Sequence, residues 1–232
     1  MATESSLSAH SNLNQEMKRE RRETFGGSDA SKLVPELHVP HIDLNKFLSG
    51  NESDVEEATR LVDEACREHG FFVVVNHGVD MELMKAVHEC MNEFFTMPLD
   101  VKQRAQRKEC GKALNDLGMK ILEILGLSLG VSREYFKNFY EDNDSRLRLN
   151  YYPPCEKPEV VLGTGPHTDP TSVPILHQDH VSGLQVCVND QWYSIPPTPD
   201  SFVVNIGDTF TVCHTKLQLG FFIFHLPSSK LN

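Results

Sequence analysis

The sequence predicts an α+β chain, with helices in its first half packed against a β-sandwich or jelly roll built from its second. Two patterns carry this reading. From residue 53 to about 126, apolar residues recur at helical spacing. After about 145 they alternate, or come in short runs separated by Pro, Gly and Asn-Asp pairs, as antiparallel strands do. The length of 232 residues is ample for a core without disulfide or metal staples. No internal repeat is present.

Along the chain, residues 1–37 are rich in Ser, Glu, Lys and Arg and read as a disordered tail. The run Lys18-Arg19-Glu20-Arg21-Arg22-Glu23 mixes both signs and reads as solvated. Organised structure is expected from Val39-Pro40-His41-Ile42-Asp43-Leu44. Ser53 and Glu56 fit a capping box ahead of a helix whose inward stripe is Val55, Ala58, Leu61, Val62, Ala65 and Cys66, with Gly70 as its stop. Phe71 to Val75 is a fully apolar, β-branched run, the signature of a buried strand. Asn76-His77-Gly78 turns the chain into a helix from about Asp80 to Met97, with Met84, Val87, Met91 and Phe94 or Phe95 inward. A third helical region covers about 99–126, its later part striped by Leu114, Leu117, Ile121 and Leu125.

In the second half, Leu147, Leu149 and Tyr151 alternate with Arg148, Asn150 and Tyr152, which predicts a strand ended by Pro153-Pro154. Further short strands are expected at Ile175 to His177, Leu184 to Val188, Trp192 to Ile195 and Phe202 to Ile206. Asn189-Asp190 reads as a hairpin turn and Gly207-Asp208 as another turn.

Charge narrows the function. Against 22 basic residues stand 33 acidic ones, a net charge of −11, which disfavours nucleic acid and anionic membrane surfaces as partners. No signal peptide and no membrane-spanning apolar run is read, so a soluble, cytoplasmic protein is expected; a monomer is expected beside it. The six cysteines contain no Cys-x-x-Cys pair, and buried free thiols are expected rather than a zinc site or disulfides.

Chemistry is concentrated in three His-x-Asp triplets: His41-Ile42-Asp43, His167-Thr168-Asp169 and His177-Gln178-Asp179. An imidazole and a carboxylate two residues apart can form two legs of a facial triad for non-haem Fe(II). Chance alone supplies about one such triplet in a chain of this composition, so context must choose. His41 is read as packing or capping ahead of the first helix, and His177 as structural. His167 lies between Gly163-Thr164-Gly165-Pro166 and Pro170-Thr171-Ser172, small residues that leave room for a ligand. Spacing alone leaves the choice open.

Five strings then carry a resemblance: Asn150-Tyr151-Tyr152-Pro153-Pro154-Cys155; Leu162 to Ser172, containing Gly-Thr-Gly-Pro-His-Thr-Asp; Ile175-Leu176-His177-Gln178-Asp179; Gly183-Leu184-Gln185-Val186; and Phe202-Val203-Val204-Asn205-Ile206-Gly207-Asp208-Thr209-Phe210. Together with His69-Gly70-Phe71-Phe72 and Val75-Asn76-His77-Gly78-Val79, they resemble the plant 2-oxoglutarate- and Fe(II)-dependent dioxygenases, and within these the gibberellin 20-oxidases. The resemblance covers about 38–108 and 109–211. It implies a double-stranded β-helix (jelly roll), incomplete at its C-terminal end, with the helical region packed on it. It implies His167 and Asp169 as iron ligands, Asn150 and Tyr152 as contacts of the cosubstrate 2-oxoglutarate, and ascorbate as reductant. The implied reaction couples decarboxylation of the keto acid by O2 to oxidation of an unactivated C–H bond, at C-20 of a diterpenoid gibberellin precursor.

The sequence also departs from the family. The segment that in the family carries the third iron ligand and the arginine that clamps the far carboxylate of 2-oxoglutarate is missing here, and neither candidate histidine has the family's neighbours. His225, 58 residues after His167, is the substitute at about the right separation, and His214 a lesser one. No arginine follows Arg148, and Lys216 and Lys230 are poor replacements for a bidentate fork. Near 108/109 the family's Leu-Pro-Trp-Lys-Glu stretch is missing, and the single Trp, Trp192, lies in the hairpin. The expected organisation is therefore a tail (1–37), an N-terminal helical dioxygenase region with an internal deletion (38–140), a partial Fe(II)/2-oxoglutarate domain (141–211) and an unrelated tail (212–232). Two alternatives stand beside gibberellin oxidation: a catalytically dead dioxygenase-like splice product or binding protein, and a dioxygenase acting on another small plant metabolite such as a flavonoid. An open sheet edge and weak stability are expected where the last strands are lost.

Overall fold

The structure, a computed structural model, describes residues 34–98, 109–140, 145–153, 163–213 and 222–225. Most of the expected tail, the segment around 102–107, His214, Lys216 and Lys230 lie outside the described residues. The elements are β1 (His41–Asp43), α1 (Leu44–Ser49), α2 (Glu52–Glu68), β2 (Phe71–Val75), α3 (Met81–Thr96), α4 (Glu109–Ser128), α5 (Glu134–Tyr140), β3 (Thr164–His167), β4 (Ile175–Leu176), β5 (Leu184–Val188), β6 (Gln191–Ser194), β7 (Phe202–Asn205), α6 (Asp208–Cys213) and β8 (Phe222–His225).

Among the described residues the strands form two four-stranded sheets, ordered β1-β2-β7-β4 and β3-β8-β5-β6. The first sheet joins the two halves of the chain. β2 pairs parallel to β1, with Ile42 opposite Val74, and antiparallel to β7, with Phe71 opposite Asn205. A strand flanked on both edges and covered by helices sheds its polar alternation. This is why Phe71, Phe72, Val73 and Val74 are all buried. The α4 stripe of Leu117, Ile121, Leu122, Ile124 and Leu125 joins the same core, together with Phe47, Phe202 and Phe210. In the second sheet, Asn189 and Asp190 take φ of 50° and 62° and close a two-residue turn between β5 and β6. Two left-handed residues match the twist of a hairpin, as the Asn-Asp pair predicts.

Several expectations are corrected. The cap of α2 is Asn51, not Ser53: Asn51 Oδ1 accepts from the backbone N–H groups of Ser53 and Asp54. Residues 147–152 form no strand. Period-two alternation marks a surface fit for pairing, but a strand also needs a ladder to join, and this segment joins none among the described residues. Leu147 and Tyr151 are exposed, Tyr151 stacking on Phe95 of α3. Gly207-Asp208 does not simply turn the chain; Asp208 opens the short helix α6. Pro35 and Leu37, inside the expected tail, exchange backbone hydrogen bonds with Ser194 of the edge strand β6, at 2.9 Å each. Cys66 and Cys187 are buried thiols outside any disulfide, as expected, the Cys66 thiol being pushed up to about 12 by burial, but Cys90 is exposed.

Beyond residue 211, where an unrelated tail and an open sheet edge were expected, the structure adds a strand, β8, and among the described residues β3 still stands at the edge of its sheet. Phe222–His225 lies between β3 and β5, with Ile223 opposite both His167 and Val186 and His225 opposite both Thr164 and Leu184. Strand addition needs backbone hydrogen-bonding groups and a β-compatible sequence rather than a family motif. Phe-Ile-Phe meets that demand between the edges of β3 and β5.

Candidate functional site

The site is built where β3 ends. His167 is its last residue, and Asp169 lies just beyond it. His167 Nδ1 is 2.9 Å from the Gly165 carbonyl oxygen. A carbonyl only accepts, so Nδ1 carries a proton, which in the neutral ring leaves the lone pair on Nε2. Asp169 Oδ1 stands 3.7 Å from that Nε2, and both side chains are partly open to solvent. This gap is shorter than two bonds of about 2.0–2.2 Å laid end to end, the reach of a divalent cation to imidazole nitrogen and carboxylate oxygen. The donor set, one imidazole nitrogen and one carboxylate oxygen, therefore fits a first-row divalent ion.

The turn that carries Asp169 is clasped by the segment after β7. Asp208 N donates to Asp169 O at 2.8 Å, and Gly207 N to Ser172 O at 2.9 Å. Thr168 Oγ1 donates to Asp208 Oδ2 at 2.8 Å, and Thr209 Oγ1 to Pro170 O at 2.6 Å. Buried Asn205, at the end of β7, donates from Nδ2 to Asp169 Oδ2 at 3.0 Å. From the other side the Tyr140 hydroxyl of α5 donates to Ser172 Oγ at 2.7 Å. Asn205 and Asp208 were not singled out as site residues. The available signal was an asparagine inside the apolar run Phe-Val-Val-Asn-Ile, because a buried amide must find a partner.

The other expected residues separate. Tyr152 is half-buried, and its hydroxyl lies 2.7 Å from Thr164 Oγ1 at the start of β3, within reach of the same strand as His167. Asn150 is exposed and its Oδ1 accepts from Arg148 Nε at 3.0 Å. The two do not share a strand face, because no strand forms there. His225 sits on the strand adjacent to β3, at the register position opposite Thr164. His41 is exposed on β1, and neither packs nor caps; the cap of α1 is Asp43, which accepts from Lys46 N.

His177 has the structural setting expected of it. Its Nδ1 lies 3.0 Å from His88 Nε2 of α3, and its ring leans on Phe202. Burial pushes its pKa below the usual imidazole value, with His88 and His77 adding to the shift and Asp179 and Asp200 opposing it. His69 and His77 are shifted in the same direction, again chiefly by burial. All three favour the neutral ring in the folded state, so the unfolded chain binds more protons at mildly acidic pH. Their contribution to stability is intact above about pH 6.5 and is lost as pH falls below it. Urea midpoints are expected to fall between pH 7.5 and pH 5.5 at constant slope; equal midpoints would contradict this.

Comparison with known proteins gives the family. A model of the 2OG-Fe(II) oxygenase superfamily matches residues 143–222, and one described as non-haem dioxygenase in morphine synthesis N-terminal matches residues 39–159. Gibberellin 20 oxidase 1 of Arabidopsis thaliana is 46% identical over 76% of this chain and 62% of its own length. Gibberellin 20 oxidase 1-D of Triticum aestivum is 44% identical over 80% of this chain and 67% of its own. The chain thus spans a little under two thirds of the Arabidopsis relative. Among solved structures, JOX2 in complex with 2OG, Fe and JA superposes with a TM-score of 0.70 at 25% identity, covering 91% of this chain and 79% of that one. The dioxygenase for auxin oxidation 1 from Arabidopsis thaliana, in its complex with 2-oxoglutarate, superposes at 0.64 with 20% identity, covering 84% of this chain and 89% of that one, a likeness of fold. No described helix is long and apolar enough to cross a membrane. With two family models spanning residues 39–222 between them and a relative 44% identical over two thirds of its own length, this chain belongs to the 2OG-Fe(II) oxygenase superfamily.

Proposed function

We propose that the chain holds Fe(II) through His167 and Asp169, takes 2-oxoglutarate as cosubstrate and oxidises a gibberellin precursor at C-20, with ascorbate as reductant. The observation that carries this is the approach of His167 Nε2 and Asp169 Oδ1 to 3.7 Å, with Nδ1 and Oδ2 already hydrogen-bonded elsewhere. The substrate class rests on the 43–46% identity to gibberellin 20 oxidases. In this reading the two sheets are the walls of a double-stranded β-helix, and His225 on β8 is the candidate for the third ligand. Tyr152 lines the cosubstrate side, and Asn150 reaches it only by leaving Arg148. Fe(II) with 2-oxoglutarate supplies the O2 activation. The protein orients the ligand nitrogen by the Gly165 carbonyl and holds the carboxylate in its turn.

A second reading, a dioxygenase-like protein that binds without turnover, is favoured by the arginines. Arg60 and Arg67 are paired along α2, Arg133 lies over the Phe47 ring, and Arg148 is engaged by Asn150. These four are engaged elsewhere, and Arg146, the fifth described arginine, is exposed rather than buried in a site. One assay separates the readings: purified chain with Fe(II), ascorbate, 2-oxoglutarate and a C-20 gibberellin precursor, with succinate as the product measured. Succinate above a His167→Ala control supports the oxygenase; none leaves a binding protein.

A further inference from the structure

Asn205 is only 2% exposed and lies between buried Val204 and Ile206. Its position is fixed by the sheet: opposite Phe71 of β2, with its backbone N–H donating to Pro174 O at 3.2 Å. A primary amide buried in an apolar strand is costly unless paired. Its Nδ2 lies 3.0 Å from Asp169 Oδ2, and an ionised carboxylate accepts only, which settles that the amide nitrogen faces it. Asp169 is then held twice, at its backbone oxygen by Asp208 N and at Oδ2 by Asn205. Oδ1 alone turns toward His167 Nε2.

We infer that Asn205 is a positioning residue that selects which oxygen of Asp169 is offered to a metal and holds the carboxylate to one-oxygen ligation. The inference rests on reading His167 and Asp169 as metal ligands. A buried donor on rigid β7 fixes the carboxylate's rotation before any ion arrives, so the ion need not order it. Losing such a partner costs metal affinity about 10- to 100-fold.

The test is Co(II) titration of the full chain, read by affinity and by the visible absorption of the bound ion, with the melt of the metal-free chain recorded beside it. Asn205→Leu keeps the branched outline of the side chain, at a larger volume, and removes the donor; Asn205→Ala is the smaller variant should Leu disturb folding. Ser201→Ala, which removes a part-buried hydrogen bond just before β7 (Ser201 Oγ to Thr198 O), is the control for a purely structural loss. Both Asn205 variants are expected to bind Co(II) at least about tenfold more weakly, with a changed spectrum, while Ser201→Ala keeps the wild-type affinity and spectrum. A folded Asn205 variant with wild-type affinity and spectrum overturns the inference and leaves the metal pair standing. A wild-type chain that takes up no Co(II) overturns both.

Discussion

Replacing Gly207 by alanine is expected to destabilise the chain by about 3 kcal/mol and to lower its melting temperature by roughly 10 °C. A Cβ at this position would overlap Thr171 O and lie 2.8 Å from Thr171 C and 3.0 Å from Asp169 O. All three atoms are backbone, so no rotamer change relieves the contact. The turn carrying Asp169 has to move away, taking with it the bonds from Gly207 N to Ser172 O and from Asp208 N to Asp169 O. The residue is glycine because two backbones pass within contact distance, not because its φ is unusual. Differential scanning calorimetry reads the effect; a melt within roughly 2 °C of wild type would show that the close approach is not a constraint.

Asp169→Asn is expected to weaken divalent-metal binding by about 100-fold or more while leaving the melt of the metal-free chain nearly unchanged. The substitution preserves shape. Its effect follows from what Asn205 already does: the new side chain has one carbonyl oxygen, and Asn205 Nδ2 claims the position of Oδ2, 3.0 Å away. The new amide nitrogen is then turned toward His167 Nε2, where Oδ1 stood at 3.7 Å. A negative ligand is exchanged for a donor with no lone pair to give. Co(II) titration reads the affinity. Retained binding would mean that Asp169 is not a ligand, and it would remove the basis for both the oxygenase reading and the role of Asn205.

The site was partly legible in the residues. His167 and Asp169 are near neighbours in sequence, so their proximity needs only a local turn, and small flanking residues marked the place. Tyr152 reached β3 although the strand meant to carry it does not form, because Thr164 offers its hydroxyl a partner. Asn150 was misplaced for the same reason: without a ladder, alternation assigns no face. Asn205 and Asp208 lie far along the chain from the residues they hold, and no pattern of spacing encodes that meeting.

By itself the sequence determined the elements whose signal is local. These are the buried runs of β2, β5 and β7, the amphipathic stripes of α2, α3 and α4, the Asn189-Asp190 hairpin and the His-x-Asp pair. Only the tertiary structure decided which edges meet: that β7 lies against β2 and so sets Asn205 under Asp169, that β8 fills the place between β3 and β5, and that residues 147–152 join neither of the described sheets. The physical reason is the range of the forces. Periodicity and turn chemistry act over a few residues, whereas strand pairing and carboxylate positioning depend on groups that become neighbours only after the chain has packed.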